Sequence, residues 1–185
     1  VWRNPTPQCE VIEFCSCPNL GDEQKYQGRP KDFLFIDEAT NFLELQIRFL
    51  MGWLRSVDGF GCQCLMTFNP PMSVEGRWVI AFFGPWLDKK HPNPAKPGEL
   101  RWFAVNPRGL DVEVPDARHF VWGPDGDRVF DFDPATMSPT KIIRPQSRTF
   151  IPSKVTDNKY LMRDGKYVGV LQGLPEPMRS RMLEG

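Results

Sequence analysis

The first third of the chain sets short apolar runs against abrupt polar stops. Residues 10–17, Glu-Val-Ile-Glu-Phe-Cys-Ser-Cys, alternate in part and predict a strand. A polar loop follows from Pro18 to Lys31, with Gly21, Gly28 and Pro30 as turn signals. Phe33-Leu34-Phe35-Ile36 is a continuous apolar run that ends at Asp37-Glu38, the pattern of a strand buried on both faces in a parallel sheet. Thr40 or Asn41 can cap a helix, with Glu44 placed as the reciprocal partner of a capping box. That helix is expected over 42–57. Leu43, Ile47, Leu50 and Leu54 form its apolar stripe, broadened by Phe42, Leu45, Phe49 and Trp53. After a turn at Asp58-Gly59-Phe60-Gly61, residues 62–68 predict a second core strand, stopped by Asn69-Pro70-Pro71. Strand, helix and strand in this order make a βαβ crossover.

The pattern then changes. Trp78 to Trp86 is an aromatic-rich amphipathic segment with helical spacing, and 88–98 is a Lys/Pro/Gly linker. Residues 100–105 and 111–114 predict a hairpin around Asn106-Pro107-Arg108-Gly109. Residues 120–122 and 129–132 predict another around Pro124-Asp125-Gly126. Together they read as a small antiparallel β insertion. A final helical stretch, Tyr160 to Leu183, is interrupted at Pro175 and Pro177.

Composition narrows the function classes. The 23 Lys+Arg cancel the 23 Asp+Glu, which excludes a uniformly basic nucleic-acid coat or an acidic tail. Locally the balance is uneven: residues 141–185 carry nine Lys/Arg and four Asp/Glu, a net of +5, and residues 1–140 carry −5. The basic part suits either phosphate backbones or a solvated helical face. Eleven of the 19 prolines fall between Pro85 and Pro152, which argues against a helical bundle there. No apolar run reaches the ~18 residues of a membrane span, and the first residues lack the pattern of a signal peptide. Five cysteines, an odd number, predict reduced thiols in a cytoplasm.

The candidate chemistry lies at Asp37 and Glu38. Two carboxylates leaving a hidden strand have the shape of a Walker B element: the first can hold a Mg²⁺ water shell and the second can polarise an attacking water. Open parallel sheets bind ligands at this edge. The same residues also suit a plain strand end that opens a helix, where acids favour the dipole. If the crossover holds, Thr67, Phe68 and Asn69 end the neighbouring strand at the same edge, and Asn69 there can sense a γ-phosphate. His91 and His119 lie in Pro-rich and hairpin contexts without a partner for catalysis.

These blocks resemble the large terminase subunits of tailed bacteriophages. The resemblance rests on Tyr26-Gln27-Gly28, Phe33 to Ala39 with Thr40-Asn41-Phe42, and Thr67-Phe68-Asn69-Pro70-Pro71. In the tail it rests on Ser147-Arg148-Thr149-Phe150-Ile151-Pro152, Thr156-Asp157-Asn158, Leu174-Pro175-Glu176 and Leu183-Glu184-Gly185. It implies an α/β fold: part of a P-loop NTPase (RecA-like) parallel sheet with a small antiparallel β insertion. Residues 1–75 would be the Walker B and coupling part, 76–140 the Pro-rich insertion, and 141–185 a basic helical end before the nuclease linker. By resemblance Asp37 holds Mg²⁺–ATP, Glu38 activates water, and Thr67, Phe68 and Asn69 couple hydrolysis to movement. Arg48 and Arg55 would touch phosphate or a neighbouring subunit, or else be surface arginines. The implied parent is a homo-oligomeric ring in the bacterial host cytoplasm that drives double-stranded DNA into a procapsid, with the portal protein and the small terminase subunit as partners and no membrane.

The chain departs from the family in having no G-x-x-x-x-G-K-[ST] loop; its one Gly-Lys, Gly165-Lys166, is followed by Tyr167. No acidic nuclease cluster follows Asn158. The expectation is therefore a partial ATPase domain, inactive on its own, with apolar sheet surface left bare. Cys15/Cys17 and Cys62/Cys64 each place two thiols on one strand face. In the implied fold the strand from Phe33 separates the pairs by roughly 10 Å, too far for one zinc site, so buried thiols are expected. A non-catalytic module that docks on DNA, portal or motor subunits is the rival class. A helicase fragment is the third, although such helicases usually carry Ser-Ala-Thr where Thr67-Phe68-Asn69 stands.

Overall fold

The computed structural model describes residues 2–3, 11–56, 61–163 and 165–184, and the chain divides into two compact units, 1–78 and 79–185. Cys9 and most of the turn expected at 58–61 lie outside the described residues.

In the first unit, β1 (Trp2–Arg3) and β2 (Val11–Ile12) form a short antiparallel pair, with Trp2 opposite Ile12. The strand expected over 10–17 stops at Ile12, and among the described residues this pair does not join the parallel strands. Beyond it, Glu13 is held by Arg29 and Lys31, each at 3.0 Å, which fastens the chain to the 18–31 loop instead of to a sheet. Cys15 and Cys17 therefore share no strand face.

The crossover forms as the apolar runs require. β3 (Phe33–Ile36) leads through α1 (Glu44–Met51) to β4 (Gln63–Met66), and the two strands pair in parallel from Phe33 opposite Gln63 to Ile36 opposite Met66. Burial on both faces does not follow. Ile36 is buried, but Phe33, Phe35 and Leu65 are each just over half exposed, at 52%, 53% and 51%. Residues two apart share a face, and a sheet of two described strands leaves that face bare.

The helix α1 is shorter than the expected 42–57. Residues Ala39–Asn41 make a 3₁₀ turn, Phe42 is extended, and neither Thr40 nor Asn41 caps α1. The Leu43 amide, the last before the helix, donates instead to Gln46 Oε1 at 3.0 Å. At the other end Gly52 closes the helix and the chain becomes extended, with Lys31 N–H donating to Trp53 O at 3.1 Å and Arg55 N–H to Lys31 O at 3.0 Å. Within α1, Ile47 is fully buried as expected, whereas Leu45 is 67% exposed and Gln46 is buried. Gln46 Nε2 faces Asn19 O at 2.9 Å, Glu23 Oε2 at 3.4 Å and Cys17 Sγ at 3.5 Å. A buried amide needs such partners, and the loop at 17–23 supplies them.

The second unit begins within α2 (Trp78–Phe82), followed by α3 (Gly84–Leu87). β5 (Arg101–Val105) and β6 (Asp111–Val114) form the first expected hairpin, and β7 (Val121–Trp122) and β8 (Arg128–Val129) the second. Asn106 Oδ1 accepts from Arg108 N–H and Leu110 N–H, and Gly109 takes φ 79°, which closes the first turn. β9 (Gln146–Arg148) adds to the free side of β5, giving the order β6-β5-β9. Ala104, Val114 and Phe120 are the buried centre, packed by Trp102, Val112, Trp122 and Ile143.

Arg148 is the polar core of this sheet. Its guanidinium lies 3.7 Å from the centroid of Phe82 and 4.4 Å from that of Phe103, and it bonds Asp111 at 3.0 Å. The tail forms α4 (Lys159–Met162), α5 (Lys166–Gln172) and α6 (Met178–Glu184), with Asn158 capping α4 and the expected break around Pro175 and Pro177. Among the described residues no helix is long and apolar enough to cross a membrane.

Candidate functional site

The site is built where β3 and β4 end together. Thr67 N–H continues the ladder by donating to Ile36 O at 2.9 Å. In an unbroken parallel ladder the next bond to Thr67 O comes from residue 38. Here it comes from Ala39 N–H, at 2.8 Å. One extra residue is therefore accommodated, and the strand bulges at Asp37-Glu38.

Glu38 absorbs the bulge. It takes φ 52° and ψ 51°, and it is the one non-glycine residue with positive φ among the described residues. A side chain with a Cβ in this left-handed region costs about 1–2 kcal/mol, and such residues persist only where their surroundings over-determine them. The surroundings are explicit. Asn41 N–H donates back to Glu38 O at 2.8 Å and Phe42 N–H to Ala39 O at 3.1 Å, while Thr67 brackets the excursion on its two backbone groups.

The bulge presents both carboxylates to solvent at the strand ends, and the second strand supplies a donor to each. Thr67 Oγ1 donates to Asp37 Oδ1 at 2.5 Å. Asn69 Nδ2 donates to Glu38 Oε1 at 3.3 Å. The structure thus brings together Asp37, Glu38, Thr67 and Asn69, four of the residues singled out from the sequence. Phe68, between the two donors, is half-buried.

Arg48 and Arg55 each have a partner away from the corner. Arg48 pairs with Glu44 one helical turn away at 2.7 Å, and Arg55 lies over the Trp53 ring at 5.0 Å. Neither contact is to the carboxylate corner, and both residues are exposed. The expectation of buried thiols holds for Cys17 but not for Cys15, which is exposed; Cys62 and Cys64 are half-buried. Burial pushes the Cys64 thiol up to about 11, and it raises Cys17 as well. His91 does have partners: its Nδ1 lies 2.9 Å from Asn93 O and its Nε2 3.9 Å from Glu113. That places it in the linker and sheet of the second unit as a structural group.

The donor set fits a Mg²⁺ ion in one way. Among the described residues no group of three or more His, Cys, Asp or Glu could hold a metal by itself. Mg²⁺ is commonly held by one or two carboxylates plus waters and substrate phosphates, so Asp37 fits the carboxylate of a metal already carried by a triphosphate. The loop that would cradle that triphosphate has no counterpart in the 185 residues.

No protein-family model, curated protein or solved structure matches this chain.

Proposed function

We propose that this chain is the hydrolysis and coupling part of a DNA-packaging ATPase, a segment of a phage terminase large subunit of P-loop NTPase architecture. One observation carries the reading: the left-handed bulge that turns Asp37 and Glu38 out at a parallel strand end, opposite the polar end Thr67 and Asn69 of the neighbouring strand. A strand end without chemistry has no need of a glutamate in a conformation that favours glycine.

Bound Mg²⁺–ATP would supply the phosphoanhydride and the charge that offsets its oxygens. Asp37 would hold the metal's water shell, with Thr67 Oγ1 fixing the orientation of its carboxylate. Glu38 would accept the proton of an attacking water through its carboxylate, and Asn69 would hold that carboxylate at the correct angle. Movement of Asn69 with the phosphate it senses would pass along β4. The intact motor would then act on double-stranded DNA together with portal protein and small terminase subunit in the host cytoplasm.

The test is Glu38→Gln in a chain that carries this segment together with a phosphate loop. ATP binding should persist while hydrolysis falls by about two to four orders of magnitude, the usual contribution of a general base. Unchanged turnover would sink the assignment. It would favour the second reading, a non-catalytic docking module, which the bare apolar face of Phe33, Phe35 and Leu65 and the missing phosphate loop support.

A further inference from the structure

Gly76 and Trp78 lie behind the carboxylate corner, and neither is among the candidate site residues named above. Residues Glu75–Arg77 form a 3₁₀ turn packed on the turn Ala39–Asn41. The approach is close: a Cβ at Gly76 would stand 2.4 Å from the Thr40 carbonyl oxygen and 3.0 Å from Thr40 Cβ. Only glycine fits there without moving backbone. Two residues on, the buried Trp78 donates its Nε1–H to Phe42 O at 2.9 Å. An indole has one hydrogen to give, so this bond fixes the Phe42 carbonyl.

We propose that Gly76 and Trp78 are positioning residues for Glu38: they hold residues 39–42, the return leg of the bulge, so that the Glu38 carboxylate stays aimed at Asn69. The inference rests on the role proposed for Glu38. The bulge is secured in front by Thr67, whose carbonyl takes the Ala39 amide. Behind, the 3₁₀ turn is closed by the local bonds Asn41 N–H to Glu38 O and Phe42 N–H to Ala39 O, and short 3₁₀ turns have poor hydrogen-bond geometry. With Gly76 and Trp78 released, residues 39–42 can extend α1 backward. Glu38 then returns to the right-handed region that a side chain prefers, and its carboxylate leaves Asn69. Trp78 is also the first residue of α2, so this hold lies where the chain passes from one compact unit to the next.

Trp78→Phe keeps an aromatic ring and deletes the N–H. Amide hydrogen exchange and nuclear Overhauser contacts on the intact 185-residue chain read the result. Exchange at Ala39, Asn41 and Phe42 should quicken about fivefold, the worth of one hydrogen bond. The contact between the Asn69 side-chain amide and Glu38 should disappear, while Thr67 and the amides of β5 and β6 keep their wild-type rates. Unchanged exchange at the three corner amides overturns the proposal. So does uniform acceleration through the first unit, which is what plain destabilisation gives. Gly76→Ala attacks the same turn by steric crowding and must reproduce the selective pattern; a folded Gly76→Ala with wild-type exchange at Asn41 is equally fatal. No nucleotide enters these measurements, so they stand or fall separately from the Glu38→Gln assay.

Discussion

Replacing Glu38 by glycine and, separately, by alanine isolates the backbone cost of the corner. Both changes remove the carboxylate and its 3.3 Å bond from Asn69, so that loss cancels in the comparison. Alanine keeps a Cβ at φ 52° and ψ 51°; glycine does not. A Cβ in that region costs about 1–2 kcal/mol. Glycine's freer unfolded chain offsets about 0.4–1 kcal/mol of this. At mid-range values the difference leaves Glu38→Gly more stable than Glu38→Ala by roughly 0.8 kcal/mol. The order is the reverse of a helix interior, where glycine falls below alanine by about 0.5–1 kcal/mol. Native-state hydrogen exchange at the Thr67 amide, followed through low urea, reports the first unit alone, because that amide donates to Ile36 O within it. An alanine variant as stable as the glycine variant, or more so, would mean that residue 38 is right-handed and that the strand does not bulge at Asp37-Glu38.

Two further outcomes follow from other parts of the molecule. Burial holds the folded Cys64 thiol at about 11, whereas an unfolded thiol ionises near about 8.5. The unfolded chain therefore loses its proton first, and stability falls as pH rises between those values by about 2–3 kcal/mol. Urea unfolding at both ends of the window should show a slope that is smaller in Cys64→Ala than in the wild type by this amount, the remainder coming from groups such as Cys17, which burial also raises; the same slope in both would refute it. In the second unit, Arg148→Ala takes the charge from Asp111 and the stack from Phe82 and Phe103, and should cost about 3–5 kcal/mol. Arg148→Lys, which keeps the charge without the planar stack, should fall between. Thermal unfolding with an alanine loss below about 1 kcal/mol would show the ion pair and rings to be dispensable.

Much of the candidate site was legible because strand ends are written locally. An apolar run that stops at two acids, and another that stops at Asn-Pro-Pro, each locate a strand terminus, and a helical pattern between them makes the strands parallel neighbours. Register then sets Asp37 opposite Thr67. The part that was not legible concerns polar residues whose partners lie far along the chain. Gln46 reads as an interruption of an apolar stripe, yet it is buried because Asn19 O lies within reach. Leu45 reads as core and faces solvent. Arg148 reads as one more basic tail residue, yet it is enclosed by two phenylalanine rings. Period and composition are the same in either case; the partner decides.

By itself the sequence determined that β3 and β4 exist, that they run parallel through a helix, and that Asp37 and Glu38 leave one of them together. It also determined the two hairpins, through Asn106 to Gly109 and Pro124 to Gly126. Only the tertiary structure decided the sign of φ at Glu38, the late start of α1 and the closeness of Gly76 to Thr40. The reason is the same for all three. Whether the amide of residue 38 or 39 reaches the Thr67 carbonyl is settled by strands brought together from about 30 residues apart (the Asp37–Thr67 separation), and no local preference for turn or helix carries that information.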